Sequence, residues 1–309
     1  MKIAYLGSAV FAKNILELLL NNSKINVSHI ITQKAKPFGR KKEMLNTEVK
    51  NMVLERGLEN MLYECGNSKE ILEVLEPGEV DFLCVCDYGV LLKQQVLDLP
   101  KKYALNVHGS LLPHLRGASP VQMTIFNQDK VAGVCVQQML LKLDAGPVFM
   151  QDAVEVDFTE TTPVLIDKLS KMGTRILVET LEAITNDDLQ PVEQNGDLAT
   201  FCYKIPKEMG KIDFLAMDAL EAFAAFRAFI LWPGIYFEHL GGVYKILDCR
   251  VLDMEFMEDL NLRPGEFSLG KKQMFVGCKR GVLEILRIQP QGKKVMDASA
   301  FVAGYRLRF

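Results

Sequence analysis

Ala104-Leu105-Asn106-Val107-His108-Gly109-Ser110-Leu111-Leu112-Pro113-His114-Leu115-Arg116-Gly117-Ala118-Ser119-Pro120-Val121-Gln122 reads as a buried strand that stops abruptly at polar groups. Strand alternation sends Asn106 and His108 to one face and Val107 to the other, so an amide and an imidazole leave the carboxyl end of a strand side by side. Open α/β sheets bind ligands at that edge. Gly109 then frees the backbone, Pro113 and Gly117 punctuate a loop, and Ser119-Pro120 reads as an N-cap followed by proline in the first helical turn. A single histidine after a strand is also explained as a hydrogen-bonded structural residue. It is the company of amide, glycine turn and capped helix that points to a site.

Residues 2–6 read as a short apolar strand, Gly7-Ser8 as a turn and residues 11–20 as an amphipathic helix. Strands are predicted over 25–32, 61–63 and 80–86, with helices over 49–56 and over 68–75, the latter capped by Ser68. The stretch 80–86 is almost wholly apolar, as expected of a sheet covered on both faces. This alternation predicts an α/β fold with a mostly parallel, doubly wound sheet. The single Gly7 falls short of the G-x-G-x-x-G fingerprint of dinucleotide binding. Beyond Pro120, strands are predicted over 133–143 and 148–156, separated by Asp144-Ala145-Gly146-Pro147, followed by a long amphipathic helix over 162–184. Residues 186–207 read as a linker, which sets the expected domains at 1–206 and 207–309. The second is predicted to be a small β-barrel of OB-like type, from short strands over 235–239, 243–251, 274–278 and 281–288.

The 309 residues, 49% hydrophobic and 24% charged, suit globular enzymes, and no stretch approaches the roughly 20 apolar residues of a membrane span. The N-terminus lacks the apolar core of a signal peptide, so a cytoplasmic protein is expected. The seven cysteines are scattered without a C-x-x-C pair, which predicts reduced thiols and no metal site. A net charge of −3 excludes a generally basic coat but leaves room for local patches.

Asn106, His108 and Asp144 are the candidate catalytic residues. A neutral imidazole can take a proton from an attacking amine, an amide N–H can polarise a carbonyl as it becomes tetrahedral, and a carboxylate can support the imidazole. Asp144 lies 38 positions after Asn106 (144 − 106) on a Gly-Pro turn; as a turn residue it could equally satisfy its own backbone. Ser110 has no G-x-S-x-G setting, so direct transfer without a covalent enzyme intermediate is the simpler expectation. The run Lys34-Ala35-Lys36-Pro37-Phe38-Gly39-Arg40-Lys41-Lys42 follows a strand end on the same sheet edge and could hold a polyanion there, or be a solvated face. Basic residues also gather late in the chain, Lys293 and Lys294 among them, as on a nucleic-acid-binding barrel or as ordinary solubilising charge.

On the block Asn106-Val107-His108-Gly109-Ser110-Leu111-Leu112-Pro113 with Arg116-Gly117, Pro120-Val121-Gln122 and Leu143-Asp144-Ala145-Gly146, the sequence resembles the methionyl-tRNA formyltransferase family, essentially end to end. The resemblance implies a Rossmann-like catalytic domain joined to an OB-like domain. It implies transfer of a formyl group from 10-formyltetrahydrofolate to methionyl-tRNA, with no metal and no membrane, by a protein expected to be a monomer. Asn106 would polarise the carbonyl, His108 accept the proton, and Asp144 tune and relay. The folate would lie near Tyr88-Gly89-Val90 and Ser110, Leu111, Leu112 and Pro113, and tRNA would meet Arg40, Lys41, Lys42, Lys293 and Lys294. Two places depart from the family pattern, Gly7-Ser8-Ala9 at the first turn and Glu43-Met44-Leu45-Asn46 after the basic run. A sugar-nucleotide N-formyltransferase shares the catalytic block without needing the three adjacent cations. A formyltetrahydrofolate hydrolase, a nicotinamide-dependent oxidoreductase and a non-catalytic RNA-binding module explain fewer of these features.

Overall fold

The computed structural model describes residues 1–38, 43–252, 262–270 and 272–305. The chain divides into two compact units. The first, residues 1–121, 131–155 and 164–203, is built on a seven-stranded sheet. Its elements begin β1 (Lys2–Gly7), α1 (Val10–Leu20), β2 (Asn26–Thr32), β3 (Lys36–Phe38), β4 (Glu43–Leu45), α2 (Glu48–Glu55), β5 (Leu62–Glu64), α3 (Ser68–Leu72) and β6 (Phe82–Cys86). They continue with α4 (Gln94–Leu97), β7 (Tyr103–His108), β8 (Arg116–Gly117), β9 (Val131–Gln138), β10 (Val148–Glu155), α6 (Thr162–Thr185) and β11 (Phe201–Cys202), while α5 (Pro120–Phe126) falls mostly in the second unit. The sheet order is β10-β9-β7-β6-β1-β2-β5. The five strands from β7 to β5 run parallel, while β9 and β10 are antiparallel additions at the β7 edge. The expected mostly parallel, Rossmann-like sheet is therefore present. Every residue of β6 is buried, as its unbroken apolar sequence demands of a strand between two neighbours. Helix α1 turns Phe11, Ile15, Leu16 and Leu19 into the core, and α6 does the same with Leu165, Leu169, Ile176, Leu177 and Leu181.

Several local expectations need correction. The strand begun at Val131 ends at Gln138 rather than 143, so Met139 to Leu143 belong to the loop that carries Asp144. Asn67, not Ser68, caps α3: its side-chain oxygen accepts the N–H groups of Lys69 at 3.0 Å and Glu70 at 3.2 Å. The basic run, read from sequence as a loop after the second strand, begins with a strand: β3 pairs antiparallel with β4, with Lys36 opposite Leu45. Strands of three residues offer too few alternations to be seen as a period.

The second unit comprises residues 122–130, 156–163 and 204–309. It contains α7 (Ala219–Phe229), β12 (Ile235–His239), β13 (Gly242–Val251), β14 (Phe267–Leu269), β15 (Met274–Gly277), β16 (Val282–Pro290), β17 (Met296–Asp297) and α8 (Ala298–Tyr305). Its six strands form one antiparallel sheet, in the order β12-β13-β16-β15-β14 with β17 against β16. Two short pieces from earlier in the chain complete its core. Phe126 stacks on Phe229 at 5.0 Å, and Thr162 Oγ1 donates to the Ala228 carbonyl at 2.7 Å. The buried guanidinium of Arg227 lies over Phe158 (5.5 Å) and Phe223 (5.2 Å) and donates to the Glu160 carbonyl at 3.2 Å. All seven cysteines are buried and unbridged.

Candidate active site

Strands β6 and β7 end side by side, with Val85 opposite Asn106. Asn106 and His108 leave β7 on the same face, as strand alternation requires. His108 is buried, and its Nε2 lies 2.9 Å from the Leu115 carbonyl. A carbonyl oxygen only accepts, so Nε2 carries the proton of the neutral ring and Nδ1 keeps its lone pair. That free nitrogen faces Asp144, with Oδ2 at 3.9 Å. Leu115 holds its carbonyl there from a left-handed backbone, φ +55°, with its own N–H given to Thr200 Oγ1 at 2.8 Å.

Asp144 stands on the β9–β10 loop with φ +47°. Its Oδ2 accepts the Gly117 N–H at 2.8 Å. Its Oδ1 accepts from Gln137 Nε2 at 3.1 Å and, more loosely, from Asn106 Nδ2 at 3.4 Å. One N–H of the Asn106 amide is thereby directed to the carboxylate, and the second is left for a ligand. The turn after Asp144 needs its glycine: a Cβ on Gly146 would lie 1.8 Å from the Gln138 carbonyl oxygen.

Gln194 ties this loop down. Its amide nitrogen donates to the carbonyls of Asp144 (3.0 Å) and Gly146 (2.6 Å), and its oxygen accepts two N–H groups of buried Arg116, at 3.1 and 2.8 Å. Gln194 lies in the stretch read from sequence as linker, and a lone glutamine among polar residues carries no signal there. Gln194→Ala removes both loop tethers and leaves the Arg116 guanidinium without this acceptor. We expect kcat to fall about tenfold with Tm lowered by a few degrees; unchanged kinetics would show that the Asp144 loop holds itself.

Asp87 follows β6 and comes level with His108 by continuation of the β6–β7 register. Although exposed, its carboxyl is pushed up to about 6, chiefly by desolvation from the protein around it; nearby Asp144 raises it further and His108 opposes the rise. The folded chain thus holds this proton more tightly than the unfolded chain, and ionised Asp87 lowers stability progressively as pH climbs from about 4 to 6. Asp87→Asn is expected to melt above the unsubstituted protein at pH 8 and level with it near pH 3.5. The opposite order at pH 8 would contradict this placement.

A small, partly open cavity lies at the ends of these strands. Its walls are Val90, Leu91, Leu92 and Leu97 on one side and Met139, Leu140, Leu141 and Leu143 on the other, with Asn106, Gln137 and Asp144 as polar groups. Leu91, Leu140, Leu141 and Leu143 are exposed, an apolar rim around a polar floor. Of the residues singled out from sequence, Asn106, Asp144 and Val90 border this cavity, and Gly89 borders the adjoining hollow. Tyr88 is buried behind them with its hydroxyl donated to the Cys65 carbonyl at 2.7 Å. Ser110 is buried and donates to the His114 carbonyl at 2.6 Å, Leu111 packs against β9 at Gly133, and Leu112 and Pro113 line a different hollow, beside Val192 and Gln194. Those four residues do not border the Asn106 cavity. Gln137 and the leucines of the Asp144 loop do; in sequence the run through Leu143 reads as one strand, which masks the loop. Lys293 and Lys294 are exposed after β16 in the second unit, while Arg40, Lys41 and Lys42 lie outside the described residues. Among the described residues no cluster of His, Cys, Asp or Glu is placed to hold a metal ion, and no helix is long and apolar enough to cross a membrane.

Comparison with known proteins fits this geometry. Residues 1–181 match the family described as "Formyl transferase", and residues 204–306 match "Formyl transferase, C-terminal domain". The methionyl-tRNA formyltransferase of Caldicellulosiruptor saccharolyticus is 32% identical over 310 residues, covering 100% of this chain and 98% of that protein. Among solved structures, HypX from Aquifex aeolicus in complex with tetrahydrofolic acid shares the fold, with a TM-score of 0.68 at 17% identity. The match covers the whole of this chain but only 48% of HypX, about half its length. WlaRD, a sugar 3N-formyl transferase, shares the fold with a TM-score of 0.63 at 16% identity, covering 95% of this chain and 99% of that one. With relatives matched at 32% identity over essentially their full length and both halves matched to formyl transferase models, this chain belongs to the methionyl-tRNA formyltransferase family.

Proposed function

We propose that this protein transfers the formyl group of 10-formyltetrahydrofolate to the α-amino group of methionyl-tRNA, acting in the cytoplasm as a monomer. The reading is carried by Asn106 and Asp144 meeting at the polar side of a leucine-lined cavity, with His108 Nδ1 3.9 Å from the Asp144 carboxylate. A flat heteroaromatic head with one polar edge suits that cavity, and the pterin of a folate has this form. Val90 and Leu91 would press on its face while Gly89, φ +72°, lets the chain turn away. Tyr88 supports this rim from behind, and Ser110 to Pro113 set the loop that delivers the Leu115 carbonyl to His108.

The amine must be neutral to attack. Its lone pair adds to the formyl carbon, and the carbonyl electron pair moves to oxygen, where the remaining Asn106 N–H stabilises the oxyanion. His108 Nδ1 takes the proton shed by the attacking nitrogen. The imidazolium so formed faces the Asp144 carboxylate, which stabilises it and keeps the ring oriented. The C–N bond to the donor then breaks, its electron pair returns to the folate nitrogen, and that nitrogen receives the proton. Formylmethionyl-tRNA and tetrahydrofolate result, with no metal involved.

The acceptor is assigned from the basic residues. Arg40, Lys41 and Lys42 follow β3, and Lys293 and Lys294 lie on the second unit, whose antiparallel sheet suits an OB-like platform. Arg40→Ala combined with Lys41→Ala and Lys42→Ala is expected to raise KM for methionyl-tRNA at least tenfold, most at low salt, while shifting KM for the folate far less. An unchanged KM for tRNA would return this run to the role of a solvated face.

A further inference from the structure

Val90 and Leu91 border a second, open hollow as well, whose walls include Gln33, Lys34, Lys36 and Lys93. The two spaces therefore adjoin along one two-residue ridge. The ridge is apolar, and Leu91 is 83% exposed, more than any other large hydrophobic side chain described. Beyond it the chemistry changes. Lys34, Lys36 and Lys93 bring three ammonium groups to one hollow, and all three residues are exposed. Glu70 pairs with Lys34 at 2.8 Å, and Glu64 is engaged by Lys50 at 2.9 Å. Lys36 is steered by Gln33, whose oxygen accepts from its Nζ while the Gln33 amide donates to the Tyr88 carbonyl. The hollow is thus net positive and partly pre-arranged, and it begins where the apolar cavity ends.

A molecule that fits both spaces has a flat polar-edged head, an apolar middle and an anionic end. Resting on the folate reading of the Asn106 cavity, we infer that this second hollow binds the γ-linked glutamate chain of the folate donor, with Lys34, Lys36 and Lys93 pairing its carboxylates. The benzoyl ring crosses the Val90–Leu91 ridge, which accounts for the exposure of Leu91. Each added γ-linked glutamate supplies one more carboxylate, so affinity rises with tail length until the three ammonium groups are matched. Phosphates of the tRNA acceptor end are the other polyanion available. They are less favoured because the hollow communicates with the head-group cavity through an apolar ridge, which suits the benzoyl ring and offers nothing to a phosphate.

The test is direct binding of 5-formyltetrahydrofolate carrying one or five glutamates, by titration calorimetry, on the full chain. Three exposed ion pairs of ordinary strength make the pentaglutamate bind about tenfold more tightly at low salt. That ratio falls towards one in 0.5 M salt and in the variant combining Lys34→Gln, Lys36→Gln and Lys93→Gln. A variant with only Lys36→Gln and Lys93→Gln, which leaves the Lys34–Glu70 pair intact, loses most of the ratio too. Equal affinity for the two folates, or a ratio the variants keep, overturns the inference while leaving the folate cavity standing. A variant whose only change is a raised KM for methionyl-tRNA overturns it in favour of phosphate. No binding of either folate overturns this inference and the folate reading together.

Discussion

His108→Ala lowers the rate of formyl transfer by about 10²–10⁴-fold, the range spanned by loss of a positioned general base. Its Nε2 is committed to the Leu115 carbonyl, so Nδ1, turned towards Asp144, is the ring's only atom able to accept a proton. Truncation also deprives the Leu115 carbonyl of a donor, which costs about 1–2 kcal/mol; the Cys202 thiol, 3.4 Å from the same oxygen, limits the damage. The loss in rate therefore greatly exceeds the loss in stability. Measuring both separates the base from a merely structural histidine: a single-turnover rate within a few-fold of the unsubstituted enzyme, with Tm lowered, would assign His108 to the scaffold. Exogenous imidazole should restore part of the rate, because Asp144, which borders the cavity, remains to orient it.

Gly117→Ala has the largest expected effect on stability. Gly117 sits at φ +125°, outside the region open to residues with a side chain, and an added Cβ would lie 1.9 Å from the Cys202 carbonyl oxygen. That oxygen belongs to β11, which pairs with β8 at this point and also accepts the Ala118 N–H at 3.1 Å. The strands must part, at a cost of about 3 kcal/mol, equivalent to a fall in Tm of roughly 6–12 °C. Because the Gly117 N–H is also the closest donor to Asp144, at 2.8 Å, activity falls at temperatures where the variant is still folded. Thermal melting paired with kcat at 20 °C checks both parts; a melting curve superimposable on that of the unsubstituted protein would contradict the close approach of β8 and β11.

Much of the fold was legible because its signals are local. The apolar run in β6, the 3.6-residue period of α6 and the polar break at Asn106 each follow from neighbouring residues. What escaped depended on distance. The two units share the chain out of order, and Phe126, Phe158 and Thr162 reveal their packing against α7 only when the chain has folded. In the candidate site, the pairing of Asn106 with His108 was readable from strand alternation. The proximity of Asp144 is not, because nothing in the spacing of 106 and 144 fixes a distance. Leu115 was unreadable for another reason: its contribution is a main-chain carbonyl, which no side chain advertises. Gln194 and Asp87 act through their surroundings, and a sequence shows residues but not their neighbours.

The amine that receives the formyl group defines what this enzyme does. The most direct measurement is to incubate the purified protein with 10-formyltetrahydrofolate and, in parallel, methionyl-tRNA or an amino-sugar nucleotide, and to weigh each acceptor by mass spectrometry. Formylated methionyl-tRNA, with the sugar nucleotide unchanged, is the predicted result. Formylation of the sugar nucleotide alone would leave Asn106, His108 and Asp144 in their roles and contradict the assignment of every basic patch to tRNA.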